Sequence, residues 1–254
     1  MNIFFEYIKY RWNAKAQHGI HSPFVFNFMK DTVNLVPNPK EKTLITNFAS
    51  KQNRNRKALK IEDHGAKSKH LNENRSIKQI FKTSSSHGKY GILMYKICNY
   101  FKPENILELG TSIGMGSLYM QLGAPNCNIT SIEACPETYA TAKENLKDYP
   151  IRLINETFEN AIKGFKKEKF DIVFIDGHHD GVALQNYIEA LGSFTDENTL
   201  FVLDDIRWSD SMLNSWNELK ISSTYHLTMD FFRMGILVKR PNQVKEHFTL
   251  KLRT

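Results

Sequence analysis

The chain has 254 residues, 41% of them hydrophobic, enough for one substantial core plus an extension, and no stretch approaches the ~20 apolar residues of a membrane-spanning helix. Its three cysteines, Cys98, Cys127 and Cys135, are odd in number and form no C-x-x-C pair, so they suit small core residues of a cytoplasmic protein rather than a disulfide framework. The formal charge of +7 is unevenly divided: residues 1–103 hold 19 Lys+Arg against 6 Asp+Glu, whereas residues 104–254 hold 15 against 21.

In chain order, the opening MNIFFEYIKYRWNAK is amphipathic and aromatic, and no small-residue cleavage site follows it, so it does not read as a signal peptide. In HGIHSPFVFNFMKDTVN, Pro23 starts a helix whose Phe24, Val25 and Phe28 can bury one face. His18 and His21 are three apart, a metal-compatible helical spacing, but Gly19 and Pro23 impose a turn and favour a structural role for both. Residues 37–75 look like the loosest part. Basic residues are scattered from Lys51 to Lys82 among Asn, Gln and Ser, without an aromatic-lined stripe, and read as a solvated segment ahead of a nucleic-acid surface. Such a region could also attract an anionic small substrate. Tyr90 to Phe101 reads as an apolar helix leading to Lys102-Pro103.

From Asn105 strands and helices alternate. Strands are expected at 105–109, 128–132, 151–154, 170–175 and 199–203, with helices near 115–122, 136–147, 157–164, 181–192 and 209–220, the βα repeat of an open parallel sheet. Residues 223–228 and 231–239 have no helix between them and should pair antiparallel, while Lys245 to Leu252 could add an edge strand or a tail. The expected organisation is a helical, basic extension over residues 1–83, a lid or an interface between copies of the chain, followed by an α/β domain over 84–254.

The most informative stretch is NILELGTSIGMGSLYMQ, Asn105 to Gln121, a buried strand ending in a glycine-rich turn that opens a helix. Missing Cβ atoms let backbone approach a ligand closely, and the helix N-terminus offers N–H groups to an anion. The spacing, Glu108-x-Gly110-x-x-x-Gly114-x-Gly116, differs from the dinucleotide fingerprint G-x-G-x-x-G and argues against a hydride-transferring enzyme. A second strand ends in Glu133, whose carboxylate could accept hydrogen bonds from a ribose diol. These pieces resemble the class I S-adenosylmethionine-dependent methyltransferases, whose first motif is E-x-G-x-x-x-G-x-G and whose second strand ends in the ribose-binding acid. The resemblance implies a Rossmann-like, seven-stranded sheet closed by an antiparallel hairpin. It implies S-adenosylmethionine held by Glu108, Gly110, Thr111, Ser112, Gly114, Gly116, Ser117, Glu133 and Asp176, with Ser84 to His87 and Tyr90-Gly91 covering it and Glu156 near the adenine.

Two later loops carry carboxylates at strand ends: Asp176-Gly177-His178-His179-Asp180 and Asp204-Asp205-Ile206-Arg207-Trp208. If the strands before them are neighbours, Asp176, Asp204 and Asp205 come within reach of one hard cation such as Mg²⁺. The arrangement resembles the metal-dependent O-methyltransferases of the catechol, caffeoyl-coenzyme A and macrolide-sugar groups. From the D-G-x-H form of the sugar enzymes it implies His179 as general base, although Gly181 replaces the tyrosine that often follows. The implied acceptor is a small-molecule hydroxyl, with Asp180, Arg207 and Trp208 as candidate contacts. Helix capping is the competing explanation for Asp180 and Asp210, and His178 reads as a solvent-facing neighbour. A metal-independent RNA or protein methyltransferase, or a module that binds the cofactor without turnover, stays open; no N-P-P-Y-type motif favours base N-methylation.

Overall fold

The computed structural model describes residues 2–16, 19–32, 34–62, 74–83 and 86–252. His18, Ser84, Ser85 and residues 63–73 of the basic connector lie outside the described residues. The chain divides into two compact units, one of residues 1–34 and 167–254 and the other of residues 35–166.

The N-terminal part of the discontinuous unit is two helices, α1 (Ile3–Asn13), capped by Asn2, and α2 (Pro23–Thr32). Val25 and Phe28 of α2 are fully buried, and the guanidinium of Arg240 lies 4.3 Å from the ring centre of Phe24. His21 is solvent-exposed.

The continuous unit begins with α3 (Pro39–Arg54), a 16-residue helix where the composition suggested the loosest segment. Its start is fixed by a capping box: Asn38 accepts from the backbone N–H of Glu41, and Glu41 accepts from that of Asn38. A short antiparallel ribbon follows, β1 (Ala58–Lys60) against β2 (Asn74–Ser76), then α4 (Ile77–Thr83) and α5 (Lys89–Phe101). The βα repeat is then β3 (Asn105–Leu109), α6 (Met115–Gly123), β4 (Asn128–Glu133), α7 (Pro136–Asn145), β5 (Ile151–Asn155) and α8 (Phe158–Gly164). β4 lies between β3 and β5 and is parallel to both, with Glu108 opposite Ser131.

The discontinuous unit resumes with β6 (Ile172–Ile175), α9 (Gly181–Ala190), β7 (Leu200–Leu203), α10 (Asp210–Ile221), β8 (Leu227–Asp230), β9 (Gly235–Val238) and β10 (Glu246–Thr249). Its strand order is β6-β7-β9-β8-β10. β6 and β7 are parallel, and β9 is antiparallel to both β7 and β8, the expected closing hairpin. The sequences IVFI and LFVL of β6 and β7 are buried at every position, as parallel strands covered on both faces require. Among the described residues the strands of the mixed sheet number eight rather than the expected seven. The additional one is β10, parallel to β8, which sets Phe248 opposite Met229 and buries both.

All three cysteines are free and buried, and among the described residues no helix is long and apolar enough to cross a membrane. In the continuous unit α5 and α6 approach closely at Gly123, where an added Cβ would lie 2.5 Å from the carbonyl oxygen of Tyr95 and 3.0 Å from Cβ of Cys98. Gly123→Ala is therefore expected to cost stability, about 1–3 kcal/mol by overpacking despite alanine's better helix propensity. Urea unfolding checks this, and an unchanged or raised midpoint would show that the two helices separate without penalty.

Candidate functional site

Each unit carries one group of the side chains singled out above. In the continuous unit the chain leaves β3 at Leu109 and turns through Gly110 and Gly114, with φ of 107° and 92°, into α6. At Gly114 the left-handed backbone coincides with close packing, since a Cβ there would lie 2.7 Å from Leu146 Cδ1. Ser112 adopts φ of 51° without being glycine, and its N–H donates to Glu133 Oε2 at 2.7 Å. The other oxygen of Glu133 accepts from the N–H of Cys135 at 3.0 Å. Glu133 is thus fixed at the end of β4 and bonded to the glycine turn. Glu156, beyond β5, accepts from the N–H of Thr157 and from the side chain of Asn160.

Glu108 lies beneath this turn and is 1% exposed. Its carboxylate accepts from the hydroxyls of Ser117, on the first turn of α6, and Ser131, on β4, and Thr111 Oγ1 lies 2.5 Å from Ser131 Oγ. Burial lifts its pKa from 4.5 to about 7, against the pull of the two serines and with a further push from the charge of Glu133. Glu108, Thr111, Ser117 and Ser131 therefore form a polar mesh that sets the turn, while Gly110, Ser112 and Glu133 are its more open members. Gly116 is buried in the first turn of α6.

In the discontinuous unit, Asp176 to Asp180 follow β6 and Asp204 to Trp208 follow β7, two parallel neighbours. Asp176, His179 and Asp205 each direct one potential metal-binding atom to a common place, all three atoms within 4.8 Å of one another and all three residues half-buried. His179 Nε2 is 3.8 Å from Asp205 Oδ2, and the ring of Trp208, itself 51% exposed, lies 5.4 Å from that of His179. Burial and the adjacent Asp204 carboxylate raise the pKa of Asp205, with Arg233 acting in the opposite direction. Asp204, expected to join the cation ligands, has both oxygens engaged by Arg233: Nε to Oδ1 at 2.9 Å and Nη2 to Oδ2 at 2.6 Å. Arg233 Nε also lies 2.9 Å from Asp205 Oδ1. Burial would lower the guanidinium pKa, but Asp204 and Asp205 together raise it, so Arg233 stays charged.

The remaining candidates resolve individually. Asp180 is the N-cap of α9, accepting from the N–H groups of Val182 and Ala183, and Asp210 sits in the first turn of α10 behind the Ser209 cap. His178 does not simply face solvent, because its Nδ1 is 2.6 Å from the hydroxyl of Tyr187. Arg207 points inward, donating to both oxygens of the buried Asp230, at 2.9 and 2.7 Å, and to the carbonyl of Phe232. Arg233 was not singled out in the sequence: it lies 29 positions from Asp204, and no local pattern marks such a pairing.

A βα repeat with a glycine turn after its first strand, a carboxylate at the end of the second and a closing antiparallel hairpin is the class I, Rossmann-like methyltransferase fold. Within that class the likeness is to O-methyltransferases, and residues 107–206 match the family model described as a methyltransferase domain. The SAH complex of an O-methyltransferase from Bacillus cereus superimposes with a TM-score of 0.56 at 14% identity, covering 82% of this chain and 94% of that one. The SAH-bound methyltransferase PaMTH1 of Podospora anserina gives 0.55 at 18% identity, covering 81% and 97%. At these identities the two structures speak to the fold alone. A tRNA1(Val) (adenine(37)-N6)-methyltransferase of Histophilus somni (strain 129Pt) is 30% identical over 90 residues, 34% of this chain and 38% of that relative.

Two outcomes follow from the buried carboxylates. Because Glu108 titrates higher folded than unfolded, its stabilising contribution is fully present below about pH 4.5 and is lost as pH rises through about 7. Glu108→Gln is expected to flatten the fall in unfolding free energy across that window, and an identical slope in urea titrations at several pH values would contradict it. Arg233→Met leaves the carboxylate of Asp204 buried without its guanidinium and should cost about 3–5 kcal/mol, read from the same unfolding curves.

Proposed function

We propose that the chain transfers the methyl group of S-adenosylmethionine to the hydroxyl of a small molecule, with a divalent cation at Asp176 and Asp205 and His179 as the proton acceptor. The observation that carries this reading is the convergence of Asp176, His179 and Asp205 on one place beyond two neighbouring parallel strands. Ligands of open α/β sheets bind at those strand ends. The donor set fits a cation: two carboxylate oxygens suit a hard ion such as Mg²⁺ that keeps positions open for acceptor oxygens, and His179 beside them stays free of the ion to take a proton. Such a cation, when bound, lowers the pKa of a coordinated hydroxyl and fixes its oxygen.

The chain's own residues supply the rest. Asp176 and Asp205 orient the acceptor site, and the Asp204–Arg233 pair holds Asp205 in place. A neutral His179 receives the hydroxyl proton at Nε2, the nitrogen nearer Asp205. Trp208, exposed beside His179, offers an aromatic face to the acceptor. In the other unit, Gly110 leaves room for a ligand against the backbone, Gly114 lets the turn pack on Leu146, and Glu133 supplies the acid for the ribose diol, with Glu108, Thr111 and Ser117 setting the turn. Orientation of donor and acceptor accounts for the larger share of such a rate enhancement.

The tRNA-modifying relative and the basic residues of the first 103 positions favour a nucleic-acid acceptor as second reading. The absence of an N-P-P-Y-type sequence and the presence of an acid–imidazole group both weigh against base N-methylation.

The test is transfer of labelled methyl from S-adenosylmethionine to a panel of vicinal diols and phenols, with and without EDTA, beside calorimetry of the cofactor. Glu133→Ala is expected to abolish cofactor binding; Asp205→Asn and His179→Ala should leave it intact and lower turnover about 10²–10⁴-fold. Turnover indifferent to EDTA and to Asp205→Asn would move the protein to the metal-independent class.

A further inference from the structure

Helix α1 has an exposed face that the fold leaves bare. Phe4, Phe5, Ile8 and Trp12 are 64%, 65%, 46% and 89% exposed, and their spacing places them on one side of the helix. The other side is fastened within its own unit. Tyr10 is buried and donates its hydroxyl to the carbonyl of Leu250, Tyr7 and Tyr10 pack their rings 5.1 and 5.2 Å from that of Phe232, and Glu6 lies 3.6 Å from Arg207. Beyond the helix, Lys15 donates its N–H to Thr249 and accepts that of Lys251. No small rotation of α1 can hide the bare face without breaking these contacts. An exposed patch of large apolar and aromatic groups at this density marks an interaction surface rather than chance exposure.

Charge selects the partner. By the helical period Arg11 borders the apolar face on one edge and Lys9 on the other, both exposed, while Glu6, the helix's one acidic residue, lies on the fastened side. A second copy of the chain meeting this face would set basic rim against basic rim, whichever way the helices ran. An anionic bilayer complements all of it: aromatic and aliphatic groups enter the headgroup boundary while the flanking cations meet lipid phosphates. We infer that α1 is an interfacial anchor that lies along the surface of an anionic lipid membrane, burying Phe4, Phe5, Ile8 and Trp12, with Lys9 and Arg11 on the lipid headgroups. It rests on the surface and does not span the bilayer.

Co-sedimentation of the full chain with vesicles tests this, using phosphatidylcholine alone and phosphatidylcholine with about one third phosphatidylglycerol. The wild type is expected to pellet with the anionic vesicles and to be released by high salt. Lys9→Gln with Arg11→Gln should weaken partitioning about 25-fold, about fivefold for each cation removed, and Phe5→Ser with Trp12→Ser should abolish it. All four side chains are exposed, so both double variants keep the wild-type unfolding midpoint. Wild type that stays in solution with anionic vesicles overturns the inference, as does equal binding by the wild type and both variants. A lipid-free dimer that the Phe5, Trp12 variant converts to monomer, with no vesicle binding, assigns the face to a second copy instead.

Discussion

Two arginine–aspartate pairs, run in opposite senses, hold together the part of the protein on which the proposed chemistry depends. Asp204, at the end of β7, takes Arg233 from the β8–β9 turn, and Arg207, three positions after Asp204, reaches back to Asp230 at the end of β8. Both pairs are bidentate, and both carboxylates are almost fully buried. Charges in such places are tolerated only when geometry and further donors compensate for lost hydration. Trp216 Nε1 and the N–H of Phe232 also donate to Asp230, and the N–H of Ile206 donates to the carbonyl of Arg233. The crossed arrangement locks the segment after β7 against the hairpin turn, and Asp205 is held between the two locked positions with its carboxylate turned to His179.

The backbone records the same concentration of constraint. Among the described residues seven non-glycine positions have positive φ, and four of them, Ser112, His178, His179 and Asp205, stand in the three loops that carry the candidate functional groups. A fifth, Phe232, is in the turn that supplies Arg233. Each such conformation costs of order 1–3 kcal/mol and persists only where the surroundings over-determine it. Here the surroundings are identifiable: Glu133 fixes Ser112, Tyr187 fixes His178, and Arg233 fixes Asp205. Only Lys102, the left-handed cap that ends α5, and Arg240 lie away from these segments.

Much of the α/β repeat was legible because β6 and β7 are covered on both faces and so read as unbroken apolar runs, and because Pro136, Thr157 and Ser209 punctuate the helix starts. The acid loops were legible for the same reason, being the polar residues that end those runs. What escaped has particular causes. Helix α3 hides in a polar composition, yet Asn38 and Glu41 spell its capping box, a local signal outweighed by average hydrophobicity. The ribbon of β1 and β2 pairs three residues with three, too few for any period to show. Arg233 is a long-range partner, and nothing near it in the chain distinguishes it from Arg240. Asp204 and Asp205 are identical in the sequence, and only the hairpin turn decides which gives both oxygens to the guanidinium and which gives it one and turns the other to the imidazole.

The bond between Lys15 and strand β10 has a consequence for how the protein is made. The unit containing α1 and α2 is closed by contacts of Lys15 with residues 249–251, whereas the unit bearing the glycine turn is continuous and ends at residue 166. During synthesis the continuous unit has all of its residues outside the ribosome long before the other can be completed. Helix α1 therefore precedes in the chain a strand on which its own packing depends, and Tyr10, whose hydroxyl bonds to Leu250, stays uncovered until that strand has been translated.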